Sequence, residues 1–352
     1  MLSPLLLTAT LTLATPAAPR PVVHQTDLFH PHGDPDDHFD LATLYALVGR
    51  GRLDLAGVLG DWPPAHRAGD PDAIGVAALN WLTGRSVPFV IGTSRPMRDR
   101  HDRQADATAS DAAAALWLLR VLEQAPAPVA ITVVGSATDV ALAGLRAPEL
   151  FRRKCAGLYL NAGAAHPDAK GQLEYNVRLN PAAYAALFEL PCPIYWAPCW
   201  HVVETRQVGT YGTWFGAPQR EILPRLRPEL QNWFLWMLER STDFKWQRYL
   251  RRPVDTAALA RHGETKRSLW SIASLMAAAG LSVTRDGRLL PAAEVADPLF
   301  TFDPVTVTCA DNGQTTWQLA TAPTNRFIFH VRDEAAYAAS MTKALADLLS
   351  TL

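Results

Sequence analysis

Short apolar runs alternate along this chain with Ala/Leu-rich stretches of helical periodicity. The runs "PVVHQTD", "DLAGVLGD", "VPFVIGT", "VAITVVGS", "GLYLNAG" and "CPIYWAPC" read as strands. Segments near 38–50, 71–84, 108–124, 138–150 and 180–189 read as the helices between them. Most of these strands are apolar throughout rather than alternating, as a sheet covered by helices on both faces requires. The order predicts an α/β fold with an open, mostly parallel central sheet flanked by helices. Further on, Pro228 opens "RPELQNWFLWMLER", a helix with proline in its first turn, and Trp233, Phe234 and Trp236 read as core or pocket wall. The tail "NRFIFHVRDEAAYAASMTKALADLLSTL" reads as one more strand and a closing helix. "WPPAHRAGDPDA", "RPMRDRHDRQADATAS" and "HVVETRQVGTYGTWFGAPQ" read as loops. With no internal repeat and no linker-like stretch, residues 21–352 are expected to form a single domain.

Composition changes this picture in two places. The opening "MLSPLLLTATLTLATPAAPRP" is apolar and ends in small residues, which predicts an export signal over residues 1–20 and a secreted or periplasmic protein. The net charge of −1 argues against a polyanionic partner, so no nucleic acid is expected. Cys155, Cys192, Cys199 and Cys309 show no CxxC pairing and hence no zinc framework; their spacing leaves a disulfide open.

In open parallel sheets ligands bind beyond the carboxyl ends of the strands. The first strand runs into Asp27 and then "DPDD", which supplies Asp34, Asp36 and Asp37. The second ends in Asp61, the fourth in Val134-Gly135-Ser136, the fifth in Asn161, and the sixth leads to Cys199 and His201. Gathered carboxylates need a cation or protons to offset their repulsion. Hard oxygen ligands suit calcium or magnesium, while His30, His32 and His38 keep a transition metal open. The structural alternative is that Asp34 or Asp36 caps the helix starting near His38.

The same residues resemble a known family, the calcium-dependent nucleoside hydrolases. "TDLFHPHGDPDDHFDLATLYAL" looks like the TD…DPDD form of a divergent branch. "LDLAGVLGD", "LNWLTGRSVPFVIGTSRPM", "ITVVGSATDVALAGLRAPEL" and "LEYNVRLNPAAYAAL" follow in the family's order, over roughly residues 21 to 310. The third of these resembles a "GPLTNIALAL" stretch. The resemblance implies a Rossmann-type nucleoside-hydrolase fold and a divalent cation, Ca2+ or another. It implies that Asp27 binds the metal and acts as general base, that Asp37 and the Val134 carbonyl are further ligands, and that Asp36 contacts sugar hydroxyls. Glu174 and Asn176 match ribose-binding residues and point the same way only on an extended segment. Asp61 stands where the family has Asn, and Asn161 falls in a pocket-lining stretch.

The chain also departs from the pattern. In "KRSLWSIASLMAAAG", Trp270-Ser271 replaces a late His-Asp pair, so Ser271 becomes a weaker, neutral metal ligand and the usual proton donor is lost. The inserted "LFHPHG" shifts Asp27 relative to Asp36 and brings in Asp34 or His32 as a ligand. His201 is then the candidate proton donor, ahead of His66 and His101. The leading expectation is a metal-dependent N-glycoside hydrolase acting on a ribonucleoside or similar ribosylated small molecule, as a homo-oligomer if it follows the family. A binding-only pseudoenzyme is the second reading. A phosphate-ester hydrolase is the third, and it is disfavoured by the poor anion loop in "VVGSATD".

Overall fold

The computed structural model describes residues 18–206 and 208–352; the expected export signal falls outside them except for its last three positions. A nine-stranded, mostly parallel sheet is flanked by helices. Its strands are β1 (Arg20–Thr26), β2 (Leu53–Gly60), β3 (Phe89–Ile91), β4 (Val129–Val133), β5 (Cys155–Leu160), β6 (Ile194–Trp196), β7 (Phe300–Cys309), β8 (Thr315–Leu319) and β9 (Arg326–Val331). They lie in the order β8-β7-β9-β6-β5-β4-β1-β2-β3. Neighbours from β9 across to β3 are parallel, while β7 runs antiparallel to both β9 and β8.

All six strands read from apolar runs are in this sheet, and so is the strand of the tail. Successive residues divide between two cores because side chains alternate across a strand. Val22, Val58 and Ala130 join one cluster, Val23, Leu59 and Ile131 the other. The first cluster packs under α1 (Asp36–Gly49), α2 (Ala73–Thr83), and later helices. The second packs under α3 (Ala109–Gln124) and α4 (Thr138–Arg146). Trp233, Phe234 and Trp236 of α5 (Pro228–Leu238) are buried in the first core. Helices α6 (Ile272–Ala278) and α7 (Glu334–Leu349) close the same face.

The β7–β8 hairpin is an addition to the sequence reading. Its strands are only half-buried and rich in threonine, with Pro304 inside β7, so they lack the continuous apolar signature of the central strands. Among the described residues no helix is long and apolar enough to cross a membrane, and all four cysteines are buried and unpaired.

After β1 the chain adds β2 and β3 on one side, then crosses back to lay β4, β5 and β6 on the other. Strands β1 and β4 therefore flank the point where strand order reverses, and a crevice opens at their carboxyl ends.

Candidate active site

Asp27 leaves the end of β1, while Asp36 and Asp37 form the first turn of α1. No side chain caps this helix, so the capping role considered for Asp34 and Asp36 is not realised. Two carboxylates in a first turn are favoured by the positive end of the helix dipole. Thr26 at the end of β1 donates its hydroxyl to Asp37 Oδ1, locking strand and helix together. Strand β4 exits alongside through Val134 and Gly135. A Cβ on Gly135 would strike the Asp61 carboxylate and lie 2.6 Å from the Asp27 nitrogen, so only glycine lets the two strand ends come this close.

These elements surround one cavity of about 880 Å³, lined by Asp27, Asp34, Asp36, Asp37, the Val134 segment and Asn161 on its acidic side. Glu174, Asn176 and Ser271 line it as well, joined by Arg67, Tyr175, Arg178, Trp200, Arg206 and Trp270. Burial, then the mutual repulsion of the group, holds Asp36 and Asp37 well above the usual carboxylate range. Asp27 is raised too, by burial above all. Among the described residues no Lys or Arg forms an ion pair with Asp27, Asp36 or Asp37. Asp34 differs, because Arg267 pairs with it at 2.9 Å. Like charges packed at a cavity with no direct ion pair to a protein cation fit a divalent cation with oxygen ligands, the charge of Arg67 acting on Asp27 from further off. The residues able to hold one are Asp27, Asp36, Asp37 and the Val134 carbonyl, which already accepts from Asn176 Nδ2 at 2.9 Å.

Other expected residues are placed differently. Glu174 and Asn176 do not lie on an extended segment: Glu174 is the N-cap of a short helix, Tyr175–Leu179, and its carboxylate accepts from the backbone N–H groups of Gly163, Asn176 and Val177. Both still line the cavity because the cap turns them to one side. Asn161 spends its amide on Ala197 and Thr213 and is fully buried. Asp61 is not brought into this cavity. It accepts from the Ser136 nitrogen and from Gln25 Nε2, and it lines a second cavity of about 190 Å³ behind the strand ends.

His201 does not line the main cavity either. Its ring packs 4.5 Å from that of His166 and stacks on Tyr211, so the proton-donor role expected for it has no supporting geometry. His32 does line the cavity. It accepts at Nδ1 from the Asp34 N–H, and burial holds its imidazole down to about 3, hence neutral with the hydrogen on Nε2. Ser271 is buried and donates to Asp40 Oδ2. Asp40 was missed in the sequence, although four residues after Asp36 on a helix is the same face. Burial pushes Asp40 up to about 7. Trp270 was located by its place in the late His-Asp stretch, though not as a cavity wall, whereas Arg67 and Trp200 had no local signal at all.

A third group lies apart. His30, His38 and Asp72 offer ligand atoms within 4.8 Å of one another. Each also has a structural partner: His38 Nε2 meets Asp72 Oδ2 at 2.8 Å, Asp72 caps α2 through Gly75, and His30 bonds the Ser241 carbonyl and stacks on Trp236.

Comparison with known proteins agrees with this architecture. The sequence profile described as inosine-uridine preferring nucleoside hydrolase matches residues 34–336. No curated protein sequence matches. Among solved structures, a purine-preferring ribonucleoside hydrolase from Gardnerella vaginalis aligns over 95% of this chain and 100% of its own, with TM-score 0.58 and 14% identity. An inosine-uridine preferring nucleoside hydrolase from Bacillus anthracis aligns over 95% and 100%, with TM-score 0.50 and 13% identity. The type III effector protein XopQ, solved with adenosine diphosphate ribose, aligns over 95% and 94%, with TM-score 0.54 and 16% identity.

Proposed function

The chain belongs to the inosine-uridine preferring nucleoside hydrolase family, and from that premise we propose that it hydrolyses the N-glycosidic bond of a ribonucleoside or related ribosylated small molecule with the help of a divalent cation, calcium by preference. The observation that carries this reading is the convergence of Asp27, Asp36, Asp37 and Val134 on one cavity, with none of the three carboxylates in a direct ion pair. Bound there, a divalent cation supplies Lewis acidity toward a water molecule and toward the vicinal hydroxyls of a pentose.

The chain's own residues then divide the work. Asp27 accepts a proton from the attacking water, whose oxygen bonds to the anomeric carbon. Asp36 and Asn176 hold the sugar hydroxyls and so fix the ring for attack. Electrons of the broken bond leave with the base nitrogen, and the positive charge building on the ring is stabilised by the carboxylate group. His32 is the histidine lining the cavity, but its neutral imidazole with a buried Nε2 cannot give up a proton, so the leaving nitrogen takes its proton from solvent water. Trp200 and Trp270, with ring centroids 6.0 Å apart, offer the aromatic faces on which a base would stack.

A second reading, a protein that binds the sugar without turnover, draws on Ser271 and on the effector proteins among the structural neighbours. One assay separates the two. Reducing sugar is measured over a panel of nucleosides with calcium and again with a chelator. Calcium-dependent release that the chelator abolishes is the expected outcome; tight binding with no free base under either condition selects the binding-only reading. On the apolar leader alone, we place the protein outside the cytoplasm, which N-terminal sequencing of the mature chain tests.

A further inference from the structure

The cavity wall carries both signs of charge. Its floor is acidic, yet Arg67, Arg178 and Arg206 also line it. Two of these are gathered on one side chain. Arg67 donates through Nε to the Tyr175 hydroxyl at 2.8 Å, and its guanidinium carbon lies 4.7 Å from the Tyr175 ring centroid. The Arg178 guanidinium lies 5.5 Å from the same centroid. Tyr175 sits between Glu174 and Asn176, so both cations are held directly beside the residues that border the sugar. Among the described residues none of the three arginines pairs with a carboxylate. Two acidic groups lining the same cavity are engaged elsewhere, Glu204 with Lys170 and Asp34 with Arg267, while Asp27 and Asp36 act on Arg67 by charge without a direct ion pair.

Two guanidiniums held at one aromatic ring repel each other, and the arrangement is relieved by an anion accepting from both. The planar donor fork of arginine matches phosphate oxygens better than any other side chain does. A volume of about 880 Å³ also leaves room beyond a bare nucleoside. We propose that Arg67 and Arg178, clasped to Tyr175, together with Arg206 form an anion subsite that takes the phosphate or diphosphate of a phosphorylated ribosyl compound. The inference rests on the ribose assignment of the acidic floor and adds a substrate class to it.

The test compares matched ligands in the presence of calcium: ribose 5-phosphate against ribose in calorimetric binding, and inosine 5′-monophosphate and ADP-ribose against inosine in hydrolysis. The phosphorylated member should be preferred by about ten-fold or more, and the two phosphorylated substrates tell a monophosphate from a diphosphate requirement. Arg178 is exposed, so substitution there leaves the fold intact. Arg178→Ala should cut the preference about ten-fold and Arg178→Glu should invert it. Raising salt from about 50 to about 500 mM should shrink it, because exposed charges are screened. Equal affinity with and without phosphate, or a preference that survives Arg178→Glu, overturns the subsite. Inosine turnover without a phosphate preference defeats the subsite and leaves the hydrolase reading standing. Arg178-dependent binding of ribose 5-phosphate without any turnover does the reverse.

Discussion

Two sets of carboxylates, all buried except the half-buried Asp36, sit around the same strand ends, and they are held in opposite ways. Asp61 and Asp139, behind the strand ends, are met by fixed donors: Ser136 N–H and Gln25 for the first, Thr93 N–H for the second. Asp27, Asp36 and Asp37, facing the main cavity, have the Thr26 hydroxyl on Asp37, the charge of Arg67 beyond ion-pair distance, and otherwise one another. Burial raises every member of both sets. What differs is how the oxygens are met. In front, the carboxylates line the open main cavity, where a cation can reach them; behind, fixed donors on Ser136, Gln25 and Thr93 hold the oxygens, although Asp27 and Asp139 raise Asp61 by like charge as well. Neither burial nor like charge alone therefore marks a site; the two together, at a cavity large enough for a ligand and without fixed donors on the oxygens, do.

The sharpest way to break this contrast is Asp37→Asn. In the front set the change removes a charge that the cation needs and that its neighbours resist. Calcium-dependent turnover should fall by about a thousand-fold or more. At the same time the calcium-free protein should melt a few degrees higher, because a buried repulsion is gone. Activity assays and paired thermal melts read the two effects. A variant that loses stability without calcium would mean that Asp37 is a structural residue like those behind.

The same contrast explains how much could be read from the chain. Strand-end position was legible, because β1, β2, β4 and β5 each hold an apolar run that breaks at a polar residue or a glycine, so Asp27, Asp61, Val134 and Asn161 could all be placed at one edge. Which side of that edge each would face was not. Asp61 and Asp27 follow neighbouring strands at the same level, yet Gly135 lets one carboxylate slip behind the other. Asp40 was hidden because it reads as one polar position in an Ala/Leu helix until Ser271, 231 residues away, is brought against it. Arg67 and Tyr175, 108 residues apart, carry no local pattern that announces their pairing. Glu174 was found by motif, but its cap geometry was not, since Glu is a rare N-cap. Long-range pairings of this kind are decided by the fold.

Ser271→Asp sharpens the comparison with a smaller expected effect. It sets a new carboxylate against Asp40, converting a hydrogen-bonded pair into a second unanswered charge beside the front set. Without calcium the variant should lose about 2 kcal/mol, read as a lower melting temperature. With calcium it should recover more than the parent gains, because the added carboxylate becomes a ligand. If calcium shifts parent and variant equally, Ser271 is out of reach of the ion and belongs with the residues behind.

The smallest effect belongs to Asp139, and its sign can be worked out. Burial pushes this carboxyl up to about 7 from an ordinary value of 3.8. Between those two pH values the folded chain keeps a proton that the unfolded chain has released, so stability falls as pH rises through the interval and levels off above about 7. An amide in place of this carboxyl carries no such charge and can still accept from Thr93, and Asn is the residue at this place in the stretch that the segment resembles. Asp139→Asn should therefore match the parent near pH 4 and exceed it by about 4 kcal/mol at pH 8. His24, which burial holds down to about 3, imposes the opposite slope, its contribution being lost as pH falls below 6.5. That slope is common to parent and variant, so their difference reports Asp139 together with its like-charge effect on Asp61. Chemical denaturation of both proteins across this range measures it. A difference that does not grow with pH would show Asp139 to be ionised in the fold, held by more than the Thr93 N–H, and the distinction between the two sets would then rest on the cavity alone.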